Sequence, residues 1–172
     1  MKLNSQFGLP TVSILISSFF TLFIALLVTI SWGVAPAWSA DYNKQSWINS
    51  DFSHQDLRDA SFDHTNLRDS DLSFIDATGV RFFGANLAQA NLEGANLSFA
   101  SLESVRLTRA NLTNAVLTGA YLTNALMNET IITGADFTDA LLSPTTEKKL
   151  CEVASGTNPT TGRNTKDTLY CP

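Results

Sequence analysis

The stretch Ala85-Asn86-Leu87-Ala88-Gln89, Ala90-Asn91-Leu92-Glu93-Gly94, Ala95-Asn96-Leu97-Ser98-Phe99 repeats a small residue, a polar amide and a leucine every five positions. The same phase runs outward without a gap. It takes in Phe52, Leu57, Phe62, Leu67, Leu72 and Phe82 on one side, and Leu102, Leu107, Leu112, Leu117, Leu122, Met127, Ile132, Phe137 and Leu142 on the other. Ala77 alone breaks the run of large apolar centres, and the larger Ile75 and Val80 flank it where alanine is usual, which restores the volume. A period of five drifts about 140° per repeat around a helix and falls on alternate faces of a strand. The chain must therefore turn once per repeat. Within a repeat the small and large apolar residues are two apart and point to one side of a short extended segment, so stacked turns share a core.

The triplets Ala85-Asn86-Leu87, Ala90-Asn91-Leu92, Ala95-Asn96-Leu97, Ala110-Asn111-Leu112 and Ala135-Asp136-Phe137 resemble the A(D/N)LXX signature of the pentapeptide-repeat family. The resemblance implies an all-β solenoid, a right-handed quadrilateral β-helix with four pentapeptides per coil and residues 20 apart in one column. It assigns residues 50–144 to the β-helix and 41–49 to an N-terminal cap, with Tyr42 in a half-formed coil and Trp47 as a plug over the open core.

After Leu142 the period stops. Ser143 reads as an N-cap, Pro144 as a first-turn residue and Gly156 as the helix exit, with a second short helix near Thr165–Tyr170 behind Asn164. Residues 145–172 are thus expected to form a helical hairpin cap, its Leu150, Val153, Leu169 and Tyr170 covering the last coil.

Residues 1–40 read as an export signal or membrane anchor: Lys2 is followed by an apolar run and no charge until Asp41. Cleavage after Ala37 or after Ala40, or retention as an anchor, all fit this pattern, and only a retained anchor would bring the chain to a membrane. Export makes a disulfide the natural state of Cys151 and Cys171, the two cysteines of the chain. The segment from Leu150 to Cys171 also resembles the C-terminal part of thylakoid-lumen pentapeptide-repeat proteins. That resemblance implies the lumen first and a periplasm second, with no biochemical activity to carry over.

The formal charge of −5 and the lack of a basic stripe exclude nucleic acid as the expected ligand. Neither a catalytic signature nor a phosphate loop occurs, so no catalytic residue, cofactor or metal is expected. His54 and His64 lie two faces apart in a four-sided coil, too far to converge on one ion. An acidic first coil, with Asp51, Asp56, Asp59, Asp63, Asp69, Asp71 and Asp76, reads as a solvated face. The residue before each centre is polar from Asp51 to Asn111 and then becomes Val116, Tyr121, Leu126, Ile131, Asp136 and Leu141. This apolar belt is the candidate interface, for an unidentified partner protein or a second copy, unless the hairpin folds over it. The expected function is a non-enzymatic structural or protein-interaction module, redox-responsive through its disulfide. The alternative is a binder of a small ligand, sugar or ice surface through the Thr/Ser ladder of Thr78, Ser98, Thr118 and Thr138.

Overall fold

The computed structural model describes residues 40–172, so the export-signal reading of residues 1–40 lies outside the described residues apart from Ala40. Among the described residues no helix is long and apolar enough to cross a membrane.

The register is 20 residues throughout. Parallel bridges join Asp51 to Asp71, Asn91 to Asn111 and Tyr121 to Leu141, and the others between Asp41 and Leu141 keep the same offset. Each central residue from Tyr42 to Leu122 donates its N–H to a carbonyl of the next coil, as from Leu87 to Arg106 at 2.8 Å and from Leu97 to Val116 at 2.7 Å. The residue before the centre donates the opposite way, as from Asn86 to Thr65 at 2.9 Å. Most backbone polar groups of the inner coils are thereby paired along the stacking direction, which the burial of the core requires.

Every bridge is a single residue, and no continuous strand forms among the described residues. The all-β description is corrected to that extent, and the reason lies in the corner. The central carbonyl accepts from the N–H three residues on, as Leu87 does from Ala90 at 3.1 Å and Leu92 from Ala95 at 3.1 Å. The second residue after the centre has a positive φ, from Lys44 at 58° to Asp139 at 56°. A β-turn with positive φ at its third residue consumes most of each pentapeptide and leaves room for one bridge per side.

The centres form one core, with Leu67, Leu72, Phe82, Leu87, Leu92 and Leu97 fully shielded, together with Ile75, Ala77 and Val80. The bridges Asp41 to Ser61 and Ser46 to Asn66 carry the repeat geometry into residues 41–49. Tyr42 and Trp47 therefore occupy central positions in it, partly buried and packed against the core as part of an aromatic cluster. Tyr42 lies parallel to Phe62 at 4.6 Å, and Trp47 meets Tyr42 and Phe52 edge-on.

Helix α1, Pro144–Val153, begins at Ser143, whose hydroxyl accepts from the Thr146 N–H, and α2, Thr165–Thr168, begins at Asn164, whose side chain accepts from Lys166. α1 ends at Ala154 and not at Gly156. Gly156 lies farther on, where a Cβ would come within 3.0 Å of the Gly134 nitrogen, so it serves a close approach of two backbones. Leu150 and Leu169 are buried as expected, whereas Val153 and Tyr170 are exposed. Ala154, one turn past Leu150, takes the contact assigned to Val153, and a positive φ of 51° at Tyr170 turns that residue outward.

Exposed rings lie over glycines at the corners. A Cβ on Gly94 would fall 2.5 Å from Phe74, whose outer face stacks on His54. Gly94→Ala is expected to destabilise the protein by about 1–3 kcal/mol through overpacking. Adding Phe74→Ala should recover the overpacking part of the loss in a thermal melt and leave the part owed to a non-glycine residue at a φ of 63°.

Candidate interaction surface and docked cap

An Asn or Asp before a centre has a defined task in the inner coils. Its side-chain oxygen accepts the N–H two residues on, as Asn91 does from Glu93 at 3.3 Å and Asn111 from Thr113 at 3.0 Å. The amide nitrogen then donates to the equivalent oxygen one coil earlier, as from Asn111 to Asn91 and from Asn86 to Asn66, both at 3.1 Å. This Asx ladder ties each corner to its own coil and to the coil below.

Val116, Tyr121, Leu126, Ile131 and Leu141 have no oxygen placed to do either. Tyr121 is 44% exposed, Leu126 48%, Ile131 51% and Leu141 53%, while Val116 is partly buried beside Asp136. α1 reaches the edge of Leu126, where Thr146, Lys149 and Leu150 line a small cleft with Ala125, Met127 and Asn128, but it leaves Leu126 half open. The hairpin does not fold over the belt.

Three exposed rings outside the belt were not marked by the sequence pattern. Phe74, Phe83 and Phe99 are exposed at the two positions after a centre, where the five-residue pattern sets no apolar preference. Phe99 rests over Gly119, two residues before Tyr121. Phe99 therefore lies one coil below the corner that leads into Tyr121, which pairs with Leu141.

Cap docking also depends on residues that carried no signal in the sequence. Asn158 is fully buried, and its amide nitrogen donates to the carbonyls of Asn114, Ala115 and Gly134 at 3.1, 3.2 and 2.8 Å. Its oxygen accepts from Thr160 and Thr161 at 2.9 and 3.0 Å. The cap supplies acceptors that a further coil would otherwise provide: the Ser155 carbonyl takes the Gly134 N–H at 2.7 Å, and the Thr168 hydroxyl takes the Phe137 N–H at 3.1 Å. Arg163 reaches the buried Asp136 carboxylate at 3.3 Å and Thr138 at 3.1 Å. The one polar residue among the last six that precede a centre is therefore the one beneath the cap. Burial works against the charged form of Asp136, but hydrogen bonds from the Thr138 side chain and backbone and from Thr161, with the Arg163 charge, outweigh it and hold the pKa below the ordinary value.

Cys151 and Cys171 form a disulfide with Cα atoms 5.6 Å apart. Closing this loop restricts the unfolded chain by about 3 kcal/mol in the chain-entropy account. The bond is consistent with an oxidising, exported compartment.

The alternative sites are poorly furnished. The hydroxyls of Thr78, Ser98 and Thr138 donate inward to Asp76, Asn96 and Asp136 at 2.6, 2.7 and 2.6 Å, which leaves them no hydrogen to offer a ligand. His54 stacks on Phe74 and His64 meets Phe83 edge-on, in different columns. Among the described residues no group of three His, Cys, Asp or Glu side chains could hold a metal. In the acidic first coil Asp56 is held down to about 2 by hydrogen bonds from the Arg58 side chain and backbone.

A 20-residue stacking register, an Asx ladder and a docked cap define a class of structural repeat protein. The pentapeptide repeats (8 copies) family model matches residues 48–82, 78–114 and 106–143, and the chain belongs to the pentapeptide-repeat family. It is similar to a pentapeptide repeat protein from the thylakoid lumen of Arabidopsis thaliana, at 35% identity over 77% of this chain and 85% of that one, with a TM-score of 0.36. A pentapeptide repeat protein from Nostoc PCC 7120 is 22% identical over 70% of this chain and 95% of that one, with a TM-score of 0.51. One from Cyanothece 51142 is 28% identical over 65% and 70%, with a TM-score of 0.30. No curated protein matches.

Asn158→Ala should cost about 1–3 kcal/mol, because three carbonyls lose a buried donor. A thermal melt and the protease sensitivity of residues 155–170 check it. The lowered pKa of Asp136 sets the sign of an acid effect on the cap: its contribution is complete above the ordinary value near 3.8 and is lost as pH falls through the lower folded value. Asp136→Asn should flatten that acid limb of the stability profile.

Proposed function

We propose that the chain is an exported, non-catalytic protein-interaction module whose contact surface is the apolar belt of Val116, Tyr121, Leu126, Ile131 and Leu141. One observation carries this reading. At Tyr121, Leu126, Ile131 and Leu141, where the inner coils carry Asn, Asp, Ser or Arg, stands an apolar side chain that is about half exposed. Ile131, which stands one coil above the Asx residue Asn111, also forgoes a corner hydrogen bond worth about 0.5–1.5 kcal/mol and gains little packing in return. A local rule broken without a local gain points to selection for something outside the fold.

The proposal takes the solenoid to be a right-handed quadrilateral β-helix, which the 20-residue register of four pentapeptides supports. It takes the compartment to be a thylakoid lumen. The leader, the disulfide and the identity to the Arabidopsis lumen protein are in keeping with that assignment. The partner is a protein or a second copy with its own apolar face.

Chemical crosslinking in membrane and lumen fractions, comparing the native chain with Leu126→Glu/Ile131→Glu, tests the reading. The variant should keep its circular dichroism and lose a specific crosslinked species. An identical crosslinking pattern from a folded variant would contradict the belt as a contact surface.

A further inference from the structure

The residues that dock the cap lie inside the loop that the disulfide closes. Ser155, Asn158, Arg163 and Thr168 make the polar contacts to the last coils, and all four fall between Cys151 and Cys171. α1 has its own anchorage: Ser143 caps it, and Leu150 and Ala154 are buried in the core. The disulfide thus holds the far end of the docking segment against a helix that would stay in place without it.

The bond is also within reach. Both cysteines are only partly buried, and they line an open groove on the cap with Pro144, Glu147, Lys148, Glu152 and Lys166. Lys148 lies one turn before Cys151 on α1, on the same face. Lys148 and Lys166 favour a departing thiolate, while Glu147 and Glu152 oppose it, so the groove admits a thiol without strongly activating the bond.

We propose that Cys151–Cys171 is a thiol–disulfide exchange site for a dithiol reductant, and that its reduction undocks residues 155–170 from the last coil while α1 and the inner coils stay folded. One thiolate of the dithiol attacks a sulfur of the bond, forms a mixed disulfide and expels the other cysteine as a thiolate. The second thiolate of the dithiol then attacks the mixed disulfide and releases the first cysteine. Two electrons pass to the protein, the dithiol leaves as its own disulfide, and the cysteine thiolates take up protons from water. Undocking removes the Ser155 carbonyl from the Gly134 N–H and the Thr168 hydroxyl from the Phe137 N–H, opening the backbone edge of the last coil beside the belt. The proposal rests on the exported, oxidised reading of the chain.

The experiment uses the intact 172-residue chain, purified without reductant and treated under native conditions with dithiothreitol. Reduction is followed by thiol titration, and amide hydrogen exchange is read residue by residue. The Gly134 and Phe137 amides should exchange at least about ten-fold faster after reduction, whereas those of Leu87 and Leu92 should not change. Trypsin should gain cleavage at Arg163 or Lys166. Cys151→Ser/Cys171→Ser should reproduce the reduced pattern without dithiothreitol, and if that variant does not fold, the native chain reduced in place decides the matter. A bond that resists dithiothreitol until the chain unfolds would overturn the proposal alone, as would unchanged exchange at both amides after reduction. Two free thiols in the untreated chain would overturn the oxidised reading with it.

Discussion

The hydrogen bond from the central N–H of each stacked coil to a carbonyl 19 residues on, made from Tyr42 through Leu122, with its return bond from the residue before the centre, is the constraint on which the rest of the structure depends. It forces residues 20 apart into columns. A column then needs side chains that tolerate a copy of themselves one coil away: leucine stacks on leucine inside, and asparagine bonds to asparagine outside. The corner follows from the same constraint. Closing a coil in 20 residues requires a sharp turn every five, and the positive φ that makes the turn is imposed on Gln89, Phe99, Arg109 and other residues with no intrinsic preference for it. The strain of order 1 kcal/mol per corner is borne by core burial and by the paired backbone.

A column is cheap to extend and hard to end. At residues 41–49 the chain begins with Tyr42 and Trp47 in central positions, and large rings fill the first coils. Beyond the last repeat the solution is different. The cap mimics a further coil at the points where backbone groups would otherwise be bare, with one carbonyl, one hydroxyl and the amide of Asn158. Asp136 sits beneath the cap and keeps the Asx role there, while its neighbours around the final coils give that role up. Cap and belt therefore occupy the same end of the repeat domain, and any change in one is felt next to the other.

The register and the core were legible in the sequence because they are periodic. Eighteen large centres in one phase admit few backbones, and the Asn and Asp before them announce the ladder. The N-caps Ser143 and Asn164 were legible for a local reason, since each acts on the next turn of its own chain. What escaped was non-periodic and non-local. Nothing around Asn158 distinguishes an amide that reaches carbonyls 24 to 44 residues away from one that faces water. Phe74 and Phe99 look like core residues by composition and are outward-facing by phase. The absence of continuous strands was hidden by the same period that revealed the fold, because a five-residue repeat fixes where the chain turns but not how little of it stays extended.

The register is open to a direct test by deletion. Removing residues 90–109 takes out one whole coil and rejoins Gln89 to Ala110, so every remaining column, the belt and the seat of the cap keep their partners. Removing only residues 90–94 shifts everything after it by one side of the coil. The account predicts that the 20-residue deletion folds cooperatively into a body shorter by about 4.8 Å in small-angle scattering, with the five-residue deletion the less stable in a thermal melt. A 20-residue deletion that fails to fold, or that is no better than the five-residue one, would contradict it.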